Sequence, residues 1–131
     1  EEIKDAIGLR HEVFSLEQGI SADLNQDKED DIATHVIAIE DDIVLGTGRL
    51  LHHSETPRIG RMAIAKTSRG KGIGSRILAA MENEVKALGR SEVLLHAQLT
   101  AQGFYALNGY VPEGAIFEEA GVLHIAMRKL L

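Results

Sequence analysis

A glycine-rich segment, 68–75, limits the fold of this chain more than any other part of the sequence. It separates an apolar run, 58–64, from a helical pattern that starts at Ile73. Its glycines are Gly70, Gly72 and Gly74. Glycines between a strand and a helix can take positive φ and let a ligand approach the backbone, and the first helical turn offers unpaired N–H groups. Since Arg69 and Lys71 add positive charge, the segment predicts an anion site, with a plain turn as the alternative.

Two common phosphate-binding loops do not fit this spacing. A Walker A loop requires Ser or Thr directly after its Lys, whereas Lys71 is followed by Gly72. A dinucleotide fingerprint requires Gly or Ala as its last residue, where this chain has Ser75 or Ile77, depending on which glycine begins the motif. The sequence therefore excludes a P-loop and disfavours a Rossmann site.

Outside this segment, hydrophobic periodicity predicts a succession of helices and strands. Helical spacing covers 2–17, 73–88 with Gly89 as its cap, and a third stretch that begins at Thr100 and ends at Gly109; a polar, acidic loop covers 19–31. Runs typical of strands cover 34–40, 43–51, 58–64, 92–98 and 124–130, and the first two form an antiparallel hairpin across 41–42. A turn over 117–121 is expected before the last strand. This order predicts an α+β fold with a mixed sheet rather than repeated βαβ units.

Composition narrows the class of protein further. A chain of 131 residues fits one domain, which we assign to 1–131. The chain has no Cys, so a disulfide, a thiol nucleophile and a Cys-based zinc site are excluded. Its net charge of −6 opposes nucleic-acid binding, and no apolar run is long enough for a transmembrane helix. We therefore expect a cytoplasmic protein with neither nucleic acid nor membrane as a partner.

Several motifs resemble one known family, the Gcn5-related N-acetyltransferases (GNAT). Arg69-x-x-Gly72-x-Gly74 matches the Q/R-x-x-G-x-G/A acetyl-CoA loop of that family, and 61–64 resembles the strand before the loop. The second family signature, commonly N-x-x-A-x-x-F-Y-x-x-x-G-F, here has the form Gln98-x-x-Ala101-x-x-Phe104-Tyr105-x-x-x-Gly109-Tyr110. Gln98 and Tyr110 are conservative departures from it.

A narrower resemblance is to the ElaA/YjcF-type branch of this family. It rests on Arg10-x-x-Val13-Phe14-x-x-Glu17-Gln18, on Leu95-His96-Ala97-Gln98 and on Phe117-x-Glu119-x-Gly121-x-x-His124-Ile125-x-Met127. GNAT proteins usually begin with a strand before the first helix, whereas this sequence begins at the helix. We therefore expect that first strand to lie upstream of residue 1.

The resemblance implies a GNAT-like acyl-CoA N-acyltransferase fold, with a central, mostly antiparallel sheet flanked by helices. It also implies acetyl-CoA as co-substrate and no metal. The residues that it places against acetyl-CoA are Met62, Ala63, Ile64, Arg69, Gly70, Lys71, Gly72, Ile73, Gly74, Ser75, Gln98 and Phe104. A backbone N–H within 62–64 would stabilise the oxyanion.

Acetyl transfer to an amine needs an acceptor for the proton of the nucleophile and a proton for the departing thiolate. The resemblance places the hydroxyl of Tyr105 near the sulfur as general acid, and a half-buried core tyrosine is the alternative. His124 is the first candidate for the base, because glyphosate-acetyltransferase-like members share the ending His-Ile-x-Met and histidine titrates near neutral pH. Glu17 is the second candidate and His96 the third.

The expected reaction is direct transfer of the acetyl group to a primary amine of a small molecule in a ternary complex, since no Cys is available for a thioester intermediate. A CoA-binding regulatory module without turnover and a protein or peptide N-acetyltransferase are the alternatives, and a homodimer is among the oligomeric states left open. Arg10, Arg49 and Arg61 are candidates for binding a substrate carboxylate, with surface ion pairs as the alternative. The acidic residues 27–31 are expected to be solvated.

Overall fold

The computed structural model describes residues 2–11, 13–14, 18, 28–52 and 55–131. Its strands are β1 Thr34–Glu40, β2 Ile43–Leu51, β3 Arg58–Ile64, β4 Glu92–Gln98, β5 Val111–Glu119 and β6 Val122–Leu130. Its helices are α1 Glu2–Arg10, α2 Ile73–Ala87 and α3 Gln102–Leu107, with 3₁₀ turns at Lys28–Asp31, Lys66–Ser68 and Leu99–Ala101. The six strands form one sheet in the order β1-β2-β3-β4-β6-β5. None of the described helices is long and apolar enough to span a membrane.

The first two strands form the predicted hairpin. They pair antiparallel as far as Glu40 with Ile43, so the loop has only two residues. Asp41 and Asp42 both have positive φ, 52° and 65°, as a two-residue hairpin turn with the right twist requires. Aspartate adopts this conformation more readily than most residues. The predicted bounds of both strands are confirmed.

β3 contains a bulge on the side that faces β2. Its register shifts between Thr47 and Arg49 of β2, where β3 has one residue more than its partner. Arg61 lies in this bulge with a φ of 50°, in the left-handed region that residues with a Cβ rarely adopt. Bulges and residues in such conformations cluster next to binding sites, where they re-aim a strand. The bulge therefore marks this part of β3 as a candidate site.

β3 and β4 are parallel neighbours that pair only near their beginnings. Arg58 pairs with Leu94 and Ile59 with Leu95, and within the described part of the chain the two strands share no pair after these. A V-shaped cleft therefore separates 60–64 from 96–98. All other neighbouring strands pair antiparallel, which confirms the mostly antiparallel sheet.

Helices pack on both faces of the sheet. The larger core cluster joins α2 to the sheet, and its members include Ile77, Leu78, Met81, Val85, Leu50, Ile59, Leu95 and Met127. On the opposite face, Leu9 and Val13 pack with Ala63 of β3. Burying each such aliphatic side chain stabilises the fold by about 1.5–3 kcal/mol. The predicted fold, a mixed sheet flanked by helices, is confirmed.

Two local predictions in the second half of the chain are wrong. Thr100 does not cap the helix: it lies in a 3₁₀ turn, and α3 starts two residues later, at Gln102, with Ala101 as its N-cap and no side-chain cap. The stretch predicted as a turn after residue 117 is the end of an unpredicted strand, β5. Only Ala120 and Gly121 form the turn, both with positive φ, and β6 begins at Val122.

Candidate active site

The glycine-rich segment forms the start of α2, as predicted. Gly72 is the N-cap residue with a φ of 79°, and no side chain of the described residues caps this helix. Gly70 has a similar φ of 78°, and a Cβ built on either glycine would meet no atom within 4 Å. Arg69 ties the segment to the sheet, because its Nε donates a hydrogen bond of 3.0 Å to the Ile64 carbonyl. The first-turn N–H groups of α2 thus face open space beside two left-handed glycines, an arrangement that suits a phosphate.

Gly74 has a different role from the two glycines before it. An added Cβ would lie 2.9 Å from Cζ of Phe104, which is closer than real Cβ contacts allow. Gly74 therefore lets the Phe104 ring pack against the first turn of α2. Together these residues line a cleft of about 500 Å³ that runs along the segment 68–75.

A second cleft, of about 740 Å³, fills the V between β3 and β4. Its walls include Arg58–Ile64, His96, Gln98, Glu119 and His124. The two clefts share a small set of lining residues. These are Met62, Ile64, Arg69, Ala101 and Tyr105. A molecule that occupied both clefts would therefore pass this junction.

The backbone of β3 offers an N–H group to the junction. Ala65 donates its N–H to the Leu45 carbonyl across the strand pair with β2, at 2.8 Å. Because successive N–H groups of a strand point to opposite sides, that of Ile64 points away from β2, into the V. Among the candidates for an oxyanion donor in 62–64, Ile64 therefore has the suitable orientation, and Ala63, which pairs with Thr47, does not. Met62 lies next to Arg61 in the bulge, where this alternation is interrupted.

Tyr105 lies at the junction on α3. Its ring makes edge-to-face contacts with Phe104 at 5.1 Å and with Tyr110 at 6.0 Å. Burial in this aromatic group raises the pKa of the Tyr105 phenol to about 12. The phenol therefore stays protonated at neutral pH, so its O–H can donate a hydrogen bond or a proton there, and it cannot act as a base in the form of a phenolate.

Two of the three candidate bases meet in the larger cleft. His124 is the third residue of β6 and is buried. His96 of β4 lies on the same sheet face, because it is two residues from Gln98, the partner of His124. Phe117 packs between the two imidazoles, edge-on to His96 at 5.0 Å and stacked on His124 at 5.9 Å. Glu17, the other candidate, lies outside the described residues.

Glu119, which was not among the predicted site residues, also lines the larger cleft. One carboxylate oxygen lies 3.4 Å from Nδ1 of His96, and the other lies 3.8 Å from Nε2 of His124. The hydrogen bond from His96 lowers the pKa of Glu119, and the nearby charges of His124 and Arg61 lower it further. The sequence could have indicated this position, because residues 117 and 119 of a strand lie on the same face of the sheet. This alternation was not applied, because β5 was not predicted.

Two of the three candidate carboxylate-binding arginines already have a partner within the protein. Arg10 forms a bidentate ion pair with Asp30, at 2.7 and 3.1 Å, and Arg49 contacts the same carboxylate at 3.1 Å. All three side chains are buried. The expected solvation of the acidic loop is therefore wrong for Asp30. These arginines hold α1, β2 and the 3₁₀ turn Lys28–Asp31 together, and Arg49 also lines the larger cleft.

Replacing Asp30 by Asn should destabilise the fold by about 3–5 kcal/mol, because it removes the negative charge that two buried guanidinium groups contact. Thermal or urea unfolding measures the loss. Asp31→Asn is the matched control: Asp31 is exposed, and its replacement should change the free energy of unfolding by less than about 0.5 kcal/mol. Equal unfolding curves for the two variants would show that the ion pairs contribute no stability.

Within the described part of the chain, no group of three or more His, Asp or Glu side chains is arranged to hold a metal ion. The larger cleft is lined by a phenol, two imidazoles and a carboxylate, those of Tyr105, His96, His124 and Glu119.

Comparisons with known proteins agree with this geometry. The family profile described as "Acetyltransferase (GNAT) domain" matches residues 3–131. N-acetyltransferase YjcF of Bacillus subtilis is 32% identical over 130 residues, covering 98% of this chain and 93% of YjcF. An acyl-CoA N-acyltransferase of Pseudomonas aeruginosa superposes with a TM-score of 0.86 at 28% identity, over 98% of this chain and 90% of that one.

ElaA of Escherichia coli superposes equally well, with a TM-score of 0.86 at 26% identity, over 97% of this chain and 89% of ElaA. The resemblance to the ElaA/YjcF-type branch is thus confirmed. The chain belongs to the GNAT family of acetyltransferases and is an acetyl-CoA-dependent enzyme.

Proposed function

We propose that this enzyme transfers the acetyl group of acetyl-CoA to a primary amine of a small molecule, by direct attack within a ternary complex. One observation carries the proposal: a cleft suited to a phosphate and a cleft containing acid–base groups meet at Tyr105. The chain has no Cys, so transfer through an acetylated thiol of the enzyme is excluded.

In this proposal the smaller cleft holds the pyrophosphate of CoA. The first-turn N–H groups of α2 bind it, and Gly70 and Gly72 leave the space that a Cβ would fill. Arg69 and Lys71 supply positive charge nearby. The N–H group of Ile64 receives the thioester oxygen, where negative charge develops during attack. Phe104 of α3 lines the smaller cleft, and Gln98 at the end of β4 lines the larger one.

His124 is the proposed proton acceptor. An alkylamine is mostly ammonium at neutral pH, so a proton must leave the nitrogen before its electron pair can attack the carbonyl carbon. Nδ1 of His124 lies 2.7 Å from the Val122 carbonyl. Since a carbonyl only accepts hydrogen bonds, Nδ1 carries a proton, and Nε2 of the neutral ring is the acceptor.

Tyr105 donates a hydrogen bond to the departing sulfur rather than a whole proton. Its pKa of about 12 exceeds the ordinary value of a thiol, about 8.5, by roughly 3.5 units. Complete transfer from the phenol to the thiolate would thus cost about 5 kcal/mol. A hydrogen bond lowers the energy of the sulfur anion without that cost, and the proton released by the attacking nitrogen can neutralise the thiolate.

Tyr105→Phe should lower kcat by about 10- to 10²-fold with little change in CoA affinity, because one hydrogen bond made mainly in the transition state is lost. Steady-state kinetics with the best amine measures this. Tyr110→Phe is the matched control, since it removes the hydroxyl that donates to Glu82 at 2.8 Å, outside the clefts. The control should lose stability and keep turnover. Wild-type kcat in the Tyr105 variant would leave Tyr105 as a packing residue.

Release of CoA from acetyl-CoA, measured over polyamines, amino acids, aminosugars and aminoglycosides, tests the proposed function. We expect turnover with one of these classes and, in the absence of amine, no mass increase of the protein from acetylation. Binding of CoA without turnover of any amine in the panel would contradict it, as would a stable acetyl-enzyme formed during the reaction.

A further inference from the structure

Two hydrogen-bond acceptors face each other across a short gap in the larger cleft. The Val122 carbonyl fixes the tautomer of His124, so Nε2 carries the free electron pair of the neutral ring. The second carboxylate oxygen of Glu119 lies 3.8 Å from this nitrogen. Neither atom can donate to the other, and the distance exceeds that of a hydrogen bond.

Other side chains hold this pair in place. Glu119 receives a long hydrogen bond of 3.4 Å from Nδ1 of His96 on its other oxygen, which leaves the oxygen near His124 for a ligand. Phe117 stacks on the His124 ring at 24° and 5.9 Å, so the imidazole plane is supported from one side. His124 is buried, whereas the Glu119 side chain is 45% exposed. The gap therefore opens into the cleft.

The two groups at the gap itself favour a cation, although four arginines, Arg49, Arg58, Arg61 and Arg69, line the same cleft. Glu119 is ionised at neutral pH, since its neighbours lower the pKa of the carboxyl group. The charged and titratable groups that act on it are His96 of β4, His124 of β6 and Arg61 of β3. An anionic or purely accepting group in the gap would meet two acceptors and a negative charge. A primary ammonium group instead offers three N–H donors and a positive charge.

We propose that Glu119 and His124 together receive the ammonium group of the acetyl acceptor, with Glu119 binding its charge and His124 taking its proton. The inference rests on the proposed function and specifies its acceptor as a primary amine that binds in its protonated form. It also gives Glu119 a second task, because the carboxylate stabilises the imidazolium that follows proton transfer.

The proton step balances within this pair. One N–H bond of the ammonium breaks, its electron pair stays on nitrogen, and the proton passes to Nε2 of His124. The new Nε2–H then points to Glu119 and can donate a hydrogen bond to its carboxylate. The pair of carboxylate and ammonium is thereby replaced by a pair of carboxylate and imidazolium. The neutral amine keeps the electron pair that attacks the thioester carbonyl, while Glu119 remains ionised throughout.

The closing experiment compares Glu119→Gln with Glu118→Gln, using the best primary amine from the panel. Glu118 is the next residue of β5, is exposed and points to the opposite sheet face. We expect Glu119→Gln to lower kcat/KM by roughly 10²-fold, with a raised KM. The acid-side rise of kcat/KM should move to lower pH, because the imidazolium loses its anion. Glu118→Gln should match the wild type in both respects.

Two further measurements distinguish a structural role of Glu119 from its proposed role in binding the ammonium group. Glu119→Gln should keep the thermal stabilisation by CoA, and Glu119→Asp, which keeps the charge, should keep the wild-type pH profile with an intermediate rate. A Glu119→Gln variant equal to the control would overturn the inference and leave the proposed function intact. So would loss of CoA stabilisation, since Glu119 would then support the fold. Absence of turnover by the wild type with every amine would overturn the proposed function, and the inference with it.

Discussion

Replacing Gly72 by Val should weaken CoA binding by roughly 10²- to 10⁴-fold. Gly72 has a φ of 79° and precedes the first turn of α2, and a valine with its branched Cβ disfavours this conformation by more than 1–2 kcal/mol. Its side chain would also project into the space that we assign to the pyrophosphate. The loss of two charge-assisted hydrogen bonds, each contributing about 1.5–3 kcal/mol, accounts for the expected factor.

Thermal stabilisation by CoA measures this effect, since a ligand at a hundred times its Kd stabilises a protein by about 2.7 kcal/mol. The matched control is Gly89→Val. Gly89 lies at the other end of the same helix, has a similar φ of 76° and also has no atom near its missing Cβ. Both variants should lose similar intrinsic stability, but only the Gly72 variant should fail to respond to CoA. A folded Gly72→Val protein with the wild-type response would remove the loop from the site.

Helices and strands whose conformation is determined by residues close to them in the chain were predictable from the sequence. The bounds of β1 and β2 agree with the structure, because the strands alternate around a two-residue turn that aspartates can form. α2 was predictable for a similar reason: its apolar residues follow helical spacing, and Gly89 ends it with positive φ. In both cases the signal lies within about fifteen residues of chain.

β5 could not be predicted in this way, because its stability comes from its partner. It is an edge strand with exposed residues along most of its length, and it contains Pro112 and Gly114. Both residues are depleted in strands, and an exposed edge needs no alternating apolar pattern. Its pairing with β6 supplies what its own sequence lacks. The loss of β5 from the prediction also removed Glu119 from the candidate site.

The surroundings of the acidic side chains were likewise not predictable from the local sequence, because they depend on residues distant in the chain. The sequence gives no local difference between Asp30 and Asp31, yet Asp30 is buried between two arginines and Asp31 is exposed. The partner Arg10 lies twenty residues away along the chain. Similarly, the φ of 50° at Arg61 follows from a register shift against β2 that no local pattern encodes. Residue type indicates possible chemistry, but the sheet register decides which groups meet.

Replacing His124 by Ala should lower kcat/KM by about 10²- to 10⁴-fold, the usual contribution of a positioned base. The pH profile should change as well. On our assignment, transfer requires Nε2 of His124 as a free acceptor, so removing the imidazole should flatten the acid-side rise of kcat/KM. Because the ring is buried and stacked on Phe117, His124→Gln is the companion variant that keeps side-chain volume, and it should show the same loss.

Controls distinguish this role from a structural one and from the rival base. His11→Ala removes an exposed histidine of the segment that follows α1 and should leave the profile unchanged. Glu17→Gln tests the other candidate for the base and, on our assignment, should keep the acid-side rise. Both His124 variants should retain stabilisation by CoA, since their defect lies in proton transfer. If His124→Ala keeps the rate and the rise with pH while Glu17→Gln loses both, Glu17 is the base, and His124 serves only to pack Phe117 and Glu119 into the cleft.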